Sequence, residues 1–202
     1  MSHLEKIQGL LRGGSVDLQA VAAEFEAAAP RERVTITETL DGKEQEKLWH
    51  AAAGGPVTIG EMVPRDLGAL RPVIFHGKNS LPAFTRFQKR FCRPASGVER
   101  DELWGYNYQP TKWLAPLTGP GYFVAYDSPG LGGVAVDYTR IPTGKPADWP
   151  EIHDNSYRLS RFIYNGTIDY LRRVSEHLLI GRATRDGKEM PNWFLLCRED
   201  PA

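Results

Sequence analysis

The chain has 202 residues, of which 41% are hydrophobic and 25% charged, the proportions of an ordinary folded domain rather than of a disordered segment. Lys plus Arg number 25 and Asp plus Glu number 25, so the formal net charge is zero, which argues against nucleic acid as the main partner. No apolar run reaches the ~18 residues of a membrane span, and Met1 to Arg12 lacks the continuous apolar stretch of a signal peptide. Cys92 and Cys197 stand far apart, and a reducing cytoplasm is the expected setting.

Taken in chain order, Leu4, Ile7, Leu10 and Leu11 recur at helical spacing until Gly13-Gly14. Asp17 to Ala29 predicts a second helix, with Leu18, Val21, Ala22 and Phe25 on one face. Val34-Thr-Ile-Thr37 alternates like a short strand or extended linker, and Asp41 to Ala53 predicts a third helix. Val57 to Met62 and Arg71 to His76 are short apolar runs. Ser80 to Cys92 reads as a helix: Ser80 caps it, Phe84, Phe87 and Phe91 fall three and four apart, and Lys89 belongs to its basic face.

From Asp101 onward the texture is that of strands. Leu103 to Tyr108, Gly121 to Tyr126, Val134 to Arg140 and Arg158 to Tyr164 are aromatic and β-branched, separated by Pro and Gly. Asn165 to Val174 has helical spacing at Ile168, Leu171 and Val174. His177 to Thr184 and Asn192 to Arg198 read as a hairpin around Asp186-Gly187. The expected fold class is α+β, an antiparallel sandwich or barrel with helices at one end.

Two segments resemble the GXWXG/DUF4334 family of small bacterial proteins: Tyr164 to Thr184, with its Ile168-Asp-Tyr-Leu-Arg-Arg-Val174 core, and Trp193 to Glu199. Phe75-His-Gly-Lys78 is similar to the family's Trp-Tyr-Gly-Lys strand end, and Pro56 to Met62 stands where its name-giving motif would be. Only Gly60 of that motif is present, and Met62 replaces the tryptophan. The resemblance implies a calycin-like barrel, similar to lipocalin and fatty-acid-binding barrels, over residues 56–202. Residues 1–55 would then be a helical extension or lid, within one structural domain overall.

A barrel of about eight strands has room for its own side chains or one small ligand. Trp104, Tyr106 and Tyr108 alternate onto one face, with Asn107 opposite. Tyr122 and Tyr126 form a second such face, and Tyr138 and Arg140 a third; Trp113 adds to the aromatic supply. Rings with hydroxyl tips suit an aromatic ligand, and an inward arginine suits a carboxylate; packed core and surface charge are the plainer alternatives. His76 and Lys78 lie on one side of an extended chain and offer a base and a cation, or else a surface turn.

The five histidines lack close metal-ligand spacing, Gly130 to Gly133 lacks the context of a dinucleotide loop, and neither Ser128 nor Ser156 stands in a nucleophile elbow. No metal and no cofactor are therefore expected. The preferred expectation is one small hydrophobic, aromatic metabolite acted on by proton transfer, as in a lyase, isomerase or cyclase. His76, Lys78, Tyr106 and Tyr108 would be catalytic. Trp104, Trp113, Tyr122, Tyr126, Tyr138 and Arg140 would bind the ligand. The rivals are a passive lipid, fatty-acid or haem carrier, and an interaction module using the Phe84/Phe87/Phe91 face. A homodimer is left open.

Overall fold

The computed structural model describes residues 1–82, 85–95, 99–109, 119–131, 133–155 and 165–200. Trp113, Phe84, Ser156 and the strand expected over Arg158 to Tyr164 lie outside the described residues. Four ten-residue helices come first: α1 (His3–Arg12), α2 (Leu18–Ala27), α3 (Pro30–Thr39) and α4 (Gly42–Ala51). A single turn, α5 (Ile59–Met62), follows. Three of these starts are capping boxes, Ser2 with Glu5, Asp41 with Glu44 and Thr58 with Glu61, in which side chain and backbone satisfy each other's free N–H groups.

The rest is one closed antiparallel barrel of eight strands in sequence order, calycin-like in architecture: β1 (Val73–Asn79), β2 (Arg86–Cys92), β3 (Leu103–Tyr108), β4 (Tyr122–Ser128), β5 (Gly133–Asp137), β6 (Thr167–Arg173), β7 (Leu178–Arg185) and β8 (Lys188–Arg198). The pairing of Phe75 with Arg198 and of Asn79 with Phe194 closes β1 onto β8. Asp186 (φ 51°) and Gly187 (φ 75°) both take left-handed backbone between β7 and β8, the geometry a two-residue hairpin turn needs.

Three sequence expectations change. The segment from Ser80 to Cys92 is not a helix; its second half is β2. Phe87 and Phe91 are four apart, which satisfies a period of two as well as a period of 3.6, and pairing on both sides decides for the strand. That removes the exposed helix on which the interaction-module reading stood. Asn165 to Val174 likewise contains β6, with Thr167, Asp169 and Leu171 buried inward. Conversely, Val34 to Thr37 lies within α3. Pro30 sets its first turn, the hydroxyls of Thr35, Thr37 and Thr39 bond the carbonyls four residues back, and burial of Ile36 and Thr37 outweighs their weak helix propensity.

Helices α1 to α4 lay their apolar faces on the outer wall. Ile7, Leu11, Val21, Phe25, Ile36 and Leu48 pack with Leu178, Ile180, Leu195 and Cys197, the outward side chains of β7 and β8. The short α5 closes one end of the barrel: Val57, Ile59, Met62 and Val63 join the interior cluster with Phe75, Leu171 and Leu179. Gly133 permits this approach. Its φ is 122°, and a Cβ there would stand 2.7 Å from the backbone nitrogen of Val57.

No helix among the described residues is long and apolar enough to cross a membrane. Both cysteines are free and buried, and burial pushes each thiol up to about 12.

Candidate functional site

Inside the barrel the inward side chains are almost all apolar. Phe75, Phe91, Leu103, Phe123, Ala125, Val134, Val136, Leu179, Phe194 and Leu196 come from seven of the eight strands. Among the described residues one buried ion pair interrupts them. Lys89 is only 2% exposed and Asp169 only 5%, and Lys89 Nζ lies 2.9 Å from Asp169 Oδ2.

Alternation along β2 directs Phe87, Lys89 and Phe91 inward. Pairing sets Lys89 between Phe75 of β1 and Asn107 of β3, while Asp169 stands between Val136 of β5 and Ala183 of β7. Lysine and aspartate thus reach each other from distant parts of the wall.

Two more buried polar groups complete the cluster. Lys89 donates to Asn107 Oδ1 at 3.2 Å and to the Tyr138 hydroxyl, so its three N–H bonds are all used. Asn107 Nδ2 donates to Tyr138 Oη at 2.8 Å, and Tyr138 Oη donates to Asp169 Oδ2 at 3.4 Å. Rings surround the ammonium. Phe87, Phe123, Tyr138 and Phe194 have centroids 5.7, 5.2, 4.9 and 5.2 Å from Nζ, within cation–π reach.

Burial pushes the Lys89 ammonium below its ordinary range, and the carboxylate of Asp169 opposes that shift. Asn107 lies near the end of β3, Tyr138 just after β5 and Asp169 near the start of β6.

Three interior positions carry glycine. Gly77, Gly105 and Gly181 each lie under a ring from a neighbouring strand: Phe87, Phe123 and Phe194 respectively. A Cβ at any of them would stand less than 3.0 Å from ring carbon. The wall around Lys89 is therefore built from rings lying on bare backbone.

Of the described residues named above as catalytic or ligand-binding, Tyr138 alone belongs to this cluster. Asn107, read as the residue opposite the aromatic face, is inside. Trp104, Tyr106 and Tyr122 are outside, where they form a buried patch with Cys92, Val124 and Trp149. Tyr106 lies 4.8 Å from the Trp149 ring centroid, and Asn155 anchors the covering segment by donating to the carbonyls of Tyr122 and Tyr138. Tyr108 shares that outer face, with the Arg90 guanidinium 4.3 Å from its ring centroid.

Tyr126 also faces outward, beneath Arg140, whose guanidinium bonds Glu102 at 2.6 Å. His76 and Lys78 share one face as expected, but it is the outer one, and His76 pairs with Glu199 at 3.0 Å. The alternation was legible; which side faced the interior was not.

His3 pairs with Glu24 at 2.8 Å on the helical layer. His177 bonds Glu26 at 2.7 Å and Asp200 at 3.1 Å, and Arg33, 6% exposed, bonds the same two carboxylates. Glu26, Glu176 and His177 bring three donor atoms within 4.8 Å of one another. The acid and the imidazole are already engaged within the chain, however, and a guanidinium stands beside them.

A helical period over Ser80 to Cys92 and over Asn165 to Val174 conceals Lys89 and Asp169, which pairing sets on strands. Phe87-Gln-Lys-Arg-Phe91 and Thr167-Ile-Asp-Tyr-Leu171, read with a period of two, each set one charge between two inward neighbours. Compared with known protein families, curated proteins and solved structures, the chain matches none.

Proposed function

We propose that the barrel is a carrier for one small hydrophobic, aromatic molecule whose polar atom displaces one of the internal hydrogen bonds of Lys89 within the cluster of Lys89, Tyr138, Asn107 and Asp169. What supports this reading is the pairing of a buried polar cluster, in an otherwise apolar interior, with a surround of rings resting on glycine. Ligand sites of this class are mostly apolar with a few placed polar groups. Lys89 and Asp169 cancel in charge. An ionised carboxylate would add an uncompensated negative charge to the interior, whereas a carbonyl or hydroxyl would not. The ligand is therefore neutral, which separates this reading from a fatty-acid carrier.

Native mass spectrometry of freshly purified protein, followed by titration with 1-acetylnaphthalene and 1-naphthoate, tests it. Uptake of the ketone, lost in Lys89→Met, is the expected result. No uptake of either probe, or equal ketone uptake by Lys89→Met, overturns the reading.

The hydrogen-bonded chain Lys89–Tyr138–Asp169 favours a second reading, in which the same site transfers a proton. Tyr138 would exchange the proton with the ligand and Lys89 would set the phenol's acidity, as a cofactor-independent lyase, isomerase or cyclase requires. Incubation of the released ligand with the protein in D2O distinguishes the two: deuterium or product appearing with the native chain, and not with Tyr138→Phe, supports catalysis. Kinship with the GXWXG/DUF4334 proteins belongs to this proposal too; the calycin-like barrel is its support.

A further inference from the structure

A second concavity lies on the outside of the barrel, where the ends of α4 and of the β4–β5 connection overhang β6 and β7. It encloses about 750 Å³ and is lined by Trp49, Pro56, Leu131, Tyr170, Arg172 and Arg182, among others. Tyr170 of β6 stands directly opposite Arg182 of β7, and Arg172 lies two residues along the same face. All these residues point away from the interior cluster.

The two arginines differ in what they already bind. Arg182 is neutralised by Glu189 at 2.6 Å and donates through Nε to the Met190 carbonyl. Arg172 has no carboxylate partner among the described residues. Its Nη1 donates to the Trp49 carbonyl at 2.9 Å, its plane lies 3.6 Å from the Trp49 ring centroid, and its buried Nε has no hydrogen-bond partner. A stacked guanidinium with one edge fixed is oriented in advance, and it presents the remaining N–H groups as a planar fork. Burial disfavours its charge, an effect that Glu189 offsets and Arg182 reinforces.

Two guanidinium groups and one carboxylate leave a single positive charge in the groove. We propose that this groove is a binding site for a small organic monoanion, a carboxylate held by Arg172, with its apolar or aromatic body lying along Tyr170, Pro56 and Leu131. A volume of this size is within the range of ordinary ligand sites. The inference is independent of the barrel's occupant, because it shares no lining residue with the Lys89 cluster.

Titration of the full chain with benzoate, benzamide and phenyl phosphate, followed by amide chemical shifts and calorimetry, tests it. Benzoate is expected to perturb the amides of Tyr170, Arg172, Arg182 and Thr184, and neutral benzamide is not. Arg172→Met is expected to weaken benzoate at least tenfold while retaining 1-acetylnaphthalene in the barrel. Glu189→Gln, at a largely exposed position, raises the groove's charge and is expected to tighten benzoate. Benzamide binding as well as benzoate, phenyl phosphate preferred over benzoate, or benzoate affinity unchanged in both variants overturns the proposal.

Discussion

Lys89 shows how much one interior side chain can demand of its neighbours. Taking an ammonium and a carboxylate out of water costs several kcal/mol per ion, and only their mutual attraction and full hydrogen bonding offset it. Here Asp169, Asn107 and Tyr138 supply that pairing. Removing one ion should therefore be worse than removing both. Lys89→Met is expected to lower the unfolding free energy by about 3–5 kcal/mol, because it strands Asp169. Lys89→Met combined with Asp169→Leu is expected to recover most of that loss. Urea denaturation of the two single variants and the double variant measures the coupling directly; losses that simply add would mean that the two charges do not interact. A barrel that needed only stability could have filled these positions with leucine, which is why the cluster is read as a docking point.

At the scale of elements, the sequence was legible where one period was unambiguous. Leu103 to Tyr108 was bounded as observed, because every second residue is large and aromatic and Gly105 interrupts the other face. The turn at Asp186-Gly187 was readable from its residue types alone. β2 and β6 were not, since apolar residues three and four apart fit a helix until the partner strands are known. The inward face of β3 was hidden for a different reason: its outward aromatics are nearly as buried as a core, under the segment carrying Trp149.

The end-closing turn α5 was unreadable from local sequence, because its seat depends on Gly133, some seventy residues away. That dependence makes Gly133→Ala a severe change. The variant has to hold φ 122° with a Cβ 2.7 Å from the Val57 backbone, where neither side can yield easily. It is expected to cost about 2–3 kcal/mol, combining backbone strain with overpacking. Gly181→Ala should cost less, because its Cβ meets the Phe194 side chain rather than backbone and its backbone φ is not left-handed. Urea midpoints of the two variants give the order, and the reverse order would mean that α5 is not held by this contact.

Across the whole molecule, the question is how a helical layer stays on a barrel wall. Apolar burial supplies the area, and one ionic network supplies the register. Glu26 from α2, Arg33 from α3, His177 before β7 and Asp200 after β8 meet in a single cluster. Glu26 also accepts the backbone N–H of His177 at 2.9 Å. Burial raises the cost of ionising Glu26. The hydroxyl of Ser175 and the backbone and ring N–H groups of His177 outweigh that cost and hold its carboxyl below the ordinary value of 4.5. A carboxyl depressed in the folded state stabilises fully above its unfolded value and loses that contribution as pH falls through its folded value. The native chain should therefore lose stability progressively as pH falls below about 4.5, and Glu26→Gln should be less stable at pH 7 but flatter over the acid range. Helix content and tryptophan fluorescence, followed through urea unfolding from pH 7 to 3, measure both effects. Coincident transitions at neutral pH would show layer and barrel unfolding as one unit. Loss of helix before barrel fluorescence at acid pH, abolished as a pH-dependent step in Glu26→Gln, would identify this network as what fastens them.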